Sequence, residues 1–351
     1  MKAQPEAAMQ AIPFVDLRGR TPVDLLADYP GRARALVKAA TGSFGLASRA
    51  ASLAALPLGD RASRKWLAKN INPYAAEIDA IAELLGRSGA HVLNVCFEWG
   101  CTGGVWDAGG SARLRRVLDW PFPRLGELAV VAQQDGPAGD FFNITWPGAN
   151  GAFHAMAPGR FAAAINQAPM RRHGAGYAGD WLKNRLDAGR ATGWPAAHLL
   201  RHVLETAPDY RAAKAMLSEA PLAVPAIFIL SGLNARQGCV IERTESDCAI
   251  REMADGRVAA ANHFETRLAG GRWQARPIDS HGRAACARAL DGGGEALAWF
   301  VSPIANPNSR LVIEADAARR SLSVMGVHGA TPVTNVFHLP STVLHAALRP
   351  H

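Results

Sequence analysis

The sequence predicts an α+β protein, and three observations carry that prediction. Residues 1–95 read as helical, and the chain then breaks into short segments bounded by glycine and proline. Those segments fall into two groups with helices between them, whereas a Rossmann fold would alternate strand and helix singly.

Within the first part, residues 23–37 and 47–58 carry apolar side chains at mixed spacings of three and four. Residues 74–85 form a clear amphipathic pattern, opened by Asn72-Pro73 and closed by Gly86. Strand-length segments begin at Cys101: CTGGVW, RLRRVLDW, LAVVAQ, FFNITWPG, AFHAMAPG and FAAAINQ, the last ending at Gln167. Helices are expected over 195–207 and 209–220. Strands return over 226–232, 238–243, 248–252 and 258–262. A helix over 280–290 then precedes strands over 297–302, 310–314 and 321–327.

Composition narrows the function classes. At 351 residues, with 49% hydrophobic and 19% charged, the chain is long enough to bury a large core. Its 38 basic and 30 acidic residues give a formal charge of +8, which raises the question of nucleic acid. The arginines are scattered, however, in short clusters such as Arg113-Arg115-Arg116, so no nucleic-acid partner is expected. Five cysteines without a C-x-x-C pair argue against a disulfide framework and a zinc ribbon. No apolar window reaches membrane-spanning length, and the first fifteen residues lack a signal-peptide core. The expected setting is reducing and cytoplasmic.

His198 and His202 stand at H-x-x-x-H spacing, but Leu199 occupies the place where a zinc protease carries glutamate. A solvated helix face is the expected reading, with no metal. No glycine cluster matches a dinucleotide or P-loop fingerprint, so no cofactor is expected.

Cys101 differs because of its small neighbours and of Arg116 and Asp119 on the segment that follows. A guanidinium favours a thiolate, the reactive form, and a carboxylate can hold an amine or the arginine in place. From spacing alone, a structural Arg–Asp pair and a catalytic thiol both stay open.

The run Leu93-Asn94-Val95-Cys96-Phe97-Glu98-Trp99-Gly100-Cys101-Thr102, with Arg116-x-x-Asp119 behind it, resembles a known processing site. It is that of the acid ceramidase and N-acylethanolamine acid amidase family. These are cysteine N-terminal-nucleophile hydrolases, related to choloylglycine hydrolases and the isopenicillin acyltransferase group. Further matches follow in the family's order: Thr145-Trp146-Pro147-Gly148, Pro158-Gly159-Arg160-Phe161, Ala164-Ile165-Asn166-Gln167 and Phe228-Ile229-Leu230-Ser231-Gly232. Gly238 to Arg243, Ala261-Asn262-His263-Phe264 and Asp279-Ser280-His281-Gly282-Arg283 complete the set, so the resemblance covers about residues 70–290. Three departures stand out. Val117 replaces an asparagine, Gln167 replaces a glutamate, and the Cys-to-Arg spacing is one residue shorter.

The resemblance implies a four-layer αββα sandwich. Residues 1–100 would be a helical N-terminal segment, released or retained after self-cleavage, and 101–351 the catalytic domain. It implies that Cys101 cuts the Gly100–Cys101 bond and then uses its freed amine as its own base. The substrate would be a small N-acyl compound, possibly lipid-like, hydrolysed at a linear amide. Gly100 would permit strained backbone angles and leave its carbonyl unshielded. Arg116 and Asp119 would orient amine and sulfur, and Asn262 would donate to the oxyanion. Arg283 would act electrostatically or face substrate, with Asn166, Gln167 and Trp146 lining the site. Residues 35–58, rich in small apolar side chains, would pack on the core or touch a membrane transiently. Acyl transfer within the same fold, or a degenerate binding protein, are the alternative readings.

Overall fold

A computed structural model describes residues 9–42, 45–95, 100–269, 271–276 and 278–339, without side-chain detail over 41–55. The chain opens with a short strand, β1 (Phe14–Asp16), and five helices: α1 (Pro22–Asp28), α2 (Pro30–Gly42), α3 (Gly45–Lys69), α4 (Ala75–Leu85) and α5 (Ala90–Asn94). Then come β2 (Gly100–Asp107), β3 (Ala112–Asp119), α6 (Leu125–Leu128), β4 (Val130–Gln134), β5 (Phe141–Thr145), β6 (His154–Ala157), β7 (Phe161–Gln167) and β8 (Met170–Arg172). Helices α7 (Gly176–Arg190), α8 (Ala196–Thr206) and α9 (Tyr210–Glu219) lead to β9 (Ala226–Ser231), β10 (Gly238–Arg243), β11 (Cys248–Glu252), β12 (Arg257–Ala260) and β13 (Arg272–Gln274). Helix α10 (Ser280–Ala289) precedes β14 (Ser309–Asp316), β15 (Ser321–His328), β16 (Thr331–Pro332) and β17 (Phe337–His338).

Two large sheets stack face to face. One runs β1-β4-β5-β6-β7-β9-β10-β11, and the other runs β12-β2-β3-β14-β15-β16 with β17 beside β15. Alternation along each strand divides the side chains between layers. In β7, Ala162 and Ala164 face the partner sheet, while Phe161, Ala163 and Ile165 face α8 and α9. In β9, Ile227 and Ile229 point inward, and Phe228 and Leu230 point outward. Each of these large side chains, fully buried, contributes roughly 1.5–3 kcal/mol. On the far side, Trp106, Val117 and Ala259 pack against Ala287 of α10 and against Leu297 and Trp299. The result is an αββα sandwich, as expected.

The same alternation sorts the hairpin that carries Cys101. Cys101, Val105, Leu114 and Leu118 belong to the core between the sheets, whereas Trp106 and Val117 belong to the layer under α10. Glycine permits this packing: a Cβ on Gly104 would stand 2.3 Å from the Val258 carbonyl oxygen of the neighbouring strand.

Three expectations need correction. Residues 1–95 are not wholly helical, because β1 joins the larger sheet parallel to β4, so the N-terminal segment contributes a strand. The continuous helix expected over 23–37 is broken between Asp28 and Pro30, where proline lacks the N–H that would carry the helix on. Residues 297–302 form turns, not a strand, although Leu297 and Trp299 are buried. Their apolar side chains plug the layer beside α10, which gives a strand-like composition without a ladder. Helix α4 ends as predicted, with Gly86 left-handed at φ 65° and its N–H on the Ala82 and Glu83 carbonyls.

Candidate active site

Cys101 lies at the start of β2, fully buried, and β3 supplies the charged side chain that touches its sulfur. The hairpin register sets Gly100 opposite Asp119, Cys101 opposite Leu118 and Gly103 opposite Arg116. Arg116 therefore shares the inner face with the Cys101 sulfur. Its Nη2 donates to Cys101 Sγ at 2.8 Å and to the Ile165 carbonyl at 2.6 Å. Its Nη1 donates to His154 Nδ1 at 2.6 Å. Burial pushes the Cys101 thiol up to about 11, Arg116 and Arg283 pull it back, and Asp119 opposes them.

Asp119 belongs to the outer face, where Arg283 descends from α10. That helix is capped by Asp279, whose carboxylate accepts from Gly282 N at 2.9 Å. Arg283 Nη1 donates to the Cys101 carbonyl at 2.7 Å, to Thr102 Oγ1 at 2.6 Å and to Asp119 Oδ2 at 3.1 Å. Its Nη2 donates to Asn262 Oδ1 at 2.9 Å, and its Nε to the Ile278 carbonyl at 2.7 Å. Ser309 Oγ donates to the other Asp119 oxygen at 2.8 Å. Burial still raises the Asp119 carboxyl, against the pull of Arg283 and Ser309.

Asn262, the second residue past the end of β12, closes the constellation. Its Oδ1 accepts from the Cys101 main-chain N–H at 2.8 Å. Its Nδ2 donates to the Gln167 carbonyl at 2.8 Å, and its own N–H donates to Ser280 Oγ at 2.8 Å. This geometry differs from the expected oxyanion donor. In the uncut chain the amide oxygen faces Cys101, because Arg283 and the Cys101 N–H are both donors and the Gln167 carbonyl takes the amide N–H. Asn262 is placed to hold the nitrogen of Cys101.

Gly100 also differs from expectation. It is not among the residues with left-handed backbone, so it stores no strain of that kind. What it provides is room: a Cβ there would stand 3.3 Å from Asp119 Cβ and 3.6 Å from Asn262 Oδ1. Residues 96–99, the rest of the segment singled out before the cysteine, lie outside the described residues.

Asn166 is buried, and its Nδ2 donates to the Ala260 and Ala261 carbonyls at 3.2 and 3.1 Å. With Gln167 it lines a cavity shared with Arg171, Trp181 and Arg276. Trp146 lines a different, apolar cavity of about 560 Å³, mouth included. There it stands with Leu36, Leu93, Trp120, Phe122 and Phe153, between the N-terminal helices and the sheets, its Nε1 donating to the Leu125 carbonyl at 2.8 Å. The side chains of residues 41–55, the centre of the stretch expected to pack or to touch a membrane, lie outside the described residues; Val37, Ala39 and Ala40 before them are buried.

His154 was not anticipated. Burial, then Arg116, holds it well below the ordinary histidine range, so it is neutral. Nothing local marks it, since Arg116 is 38 residues away on the other sheet. His198 corrects the solvated-face expectation, being fully buried and pushed down to about 3 by burial and Arg201. Its neighbour His202 stacks on Trp194 at 4.8 Å. No group of three or more metal-ligating side chains occurs among the described residues.

No family model matches the chain. It is 26% identical over 231 residues to the N-acylethanolamine-hydrolyzing acid amidase of Oryctolagus cuniculus, covering 64% of this chain and 62% of that protein. It is 34% identical over 109 residues to the acid ceramidase of Heterocephalus glaber, covering 30% of this chain and 26% of that one. The chain thus spans less than two thirds of the length of these relatives. Among solved structures, it shares its fold with a Caenorhabditis elegans N-acylethanolamine-hydrolyzing acid amidase ortholog. That match has a TM-score of 0.50 and 17% identity, over 68% of this chain and all of the other.

Proposed function

We propose that this chain, which has the αββα fold of the N-terminal-nucleophile hydrolases, is a self-processing cysteine amidase for N-acyl compounds. The observation that supports it most is the enclosure of Cys101 by separate partners for each of its reactive atoms. The sulfur has Arg116, the nitrogen has Asn262 and the carbonyl has Arg283.

In self-cleavage the Cys101 sulfur attacks the Gly100 carbonyl carbon, the C–N bond breaks, and the acyl group moves from nitrogen to sulfur. Water then hydrolyses the thioester, leaving a carboxylate on Gly100 and a free thiol and α-amine on Cys101. That amine, with an ordinary value of about 8, is suited to general-base work near neutrality. In turnover the thiolate attacks the substrate carbonyl and the amine protonates the departing nitrogen. Water activated by the same amine releases the acid. Asn262 Oδ1 keeps the amine beside the sulfur throughout, and Arg116 offsets part of the burial that raises the thiol, stabilising the negative charge as the sulfur gives up its proton.

The apolar cavity supports an acyl substrate. Trp146 on its wall packs edge-on to His154 at 6.3 Å, so the cavity lies one ring away from the side chain that touches Arg116. Acid release from N-acyl amides of fixed amine and varied chain length, read by mass spectrometry, tests the reading. A self-cut protein that releases no acid from any of them removes it. Ala149→Phe, which fills the cavity wall, should lower kcat/KM for long chains about tenfold more than for short ones.

A further inference from the structure

We propose that His154 is a positioning residue for the nucleophile, a neutral hydrogen-bond acceptor that aims the Arg116 guanidinium at sulfur without cancelling its charge. The inference rests on the reading of Cys101 as nucleophile, and its test reads the sulfur itself.

Arg116 is fully buried, and its fork is held at both ends by the opposite sheet. His154 on β6 takes Nη1 at 2.6 Å, and the Ile165 carbonyl on β7 takes Nη2 at 2.6 Å. Both acceptors are uncharged. No carboxylate forms an ion pair with Arg116 among the described residues; Asp119, three positions on, is paired with Arg283 instead. Among the described residues, the one hydrogen-bond partner of Arg116 that can carry negative charge is Cys101 Sγ, at 2.8 Å. Asp119 acts on Arg116 through space without a hydrogen bond; a guanidinium whose hydrogen bonds end on neutral acceptors keeps more of its field for the thiolate, whereas a carboxylate at position 154 would compete for it directly.

The tautomer follows from the donor. Because Arg116 has no lone pair to offer, His154 Nδ1 must be the acceptor and its proton must sit on Nε2. The imidazole stays neutral because it is buried and adjoins a cation. Around this pair stand Trp146, edge-on to the ring, and the Ile144 main chain. Arg283 and Asp119 act on Cys101 from the other face of β2.

The thiolate absorbance of Cys101, taken as wild type minus Cys101→Ala across a pH series, reads the effect directly. His154→Asn restores a neutral acceptor near Nδ1, and His154→Asp puts a charged one of nearly the same shape there. The Asn variant should titrate close to wild type, with self-cleavage within about threefold. The Asp variant should titrate higher than both wild type and the Asn variant, and it should cut itself more slowly. His154→Leu, which leaves the guanidinium without its anchor, should also titrate higher and cut more slowly. Equal midpoints for Asn and Asp overturn the inference even if the Leu variant fails to fold. So does a folded Leu variant with the wild-type midpoint. Should no amide be hydrolysed by any form, the amidase reading falls, and these midpoints still decide the role of His154.

Discussion

Cys101→Ala should leave the chain whole, where wild type should yield pieces of about one third and two thirds of its length. The same variant should lose amide hydrolysis by about 10⁴-fold or more, since the proposed acyl intermediate forms on this sulfur. The other cysteines that the structure describes do not share its setting: Cys239 is buried against Tyr210, while Cys248 and Cys286 are half-buried. Losing one sulfur atom from a packed site costs on the order of 1 kcal/mol, too little to unfold a domain of this size. A whole chain with normal circular dichroism therefore reports chemistry and not misfolding. Cys101→Ser refines the result. A hydroxyl can make the same attack, but it gains less from Arg116 than a thiolate does, so cutting should slow by orders of magnitude without stopping. Fragments from the alanine variant would show that the break does not depend on this sulfur, and the proposed reaction would lose its first step.

How much of this was legible in the sequence depends on how far apart the partners lie along the chain. Cys101, Arg116 and Asp119 belong to one hairpin, so a short turn at 108–111 brings them close, and period-two alternation puts Arg116 on the face of the sulfur and Asp119 on the other. Asn262 and Arg283 were reachable only through resemblance, because 161 and 182 residues separate them from the Cys101 atoms they touch. His154 carried no signal. The alternation of AFHAMAPG puts a histidine on the inner face of β6, but only the stacking of two sheets shows that this face meets Arg116. The direction of the Asn262 amide was equally hidden, since it is fixed by Arg283 and the Gln167 carbonyl from different elements. Turn residues at 297–302 read as strand because burial and strand formation leave the same apolar composition when no ladder partner can be seen.

Arg283→Leu should abolish self-cleavage and destabilise the fold by about 3–5 kcal/mol at neutral pH. The arginine is buried and serves five acceptors, two of them main-chain carbonyls and one the Asp119 carboxylate. Leucine fills part of the volume and satisfies none of them. The largest loss is electrostatic, because Asp119 would keep only neutral hydrogen-bond partners, Ser309 and Asn306, close to its charge. Its carboxyl is already raised by burial in the wild type, and without the guanidinium it must rise further. The sign of the pH dependence follows. A carboxyl that binds its proton more tightly folded than unfolded favours the fold below its unfolded value, about 3.9. That contribution is lost as pH rises through the folded value. The difference between variant and wild type in urea unfolding should therefore be smaller at pH 5 than at pH 7. Adding Asp119→Asn to Arg283→Leu separates stability from chemistry. The double variant should recover much of the stability, since no buried charge is left unpaired, and it should still fail to cut, since the Cys101 carbonyl and Asn262 remain without their donor. Recovery of both would reduce Arg283 to a counter-ion for Asp119, and recovery of neither would mean that the five hydrogen bonds, not the charge, hold this corner of the sandwich.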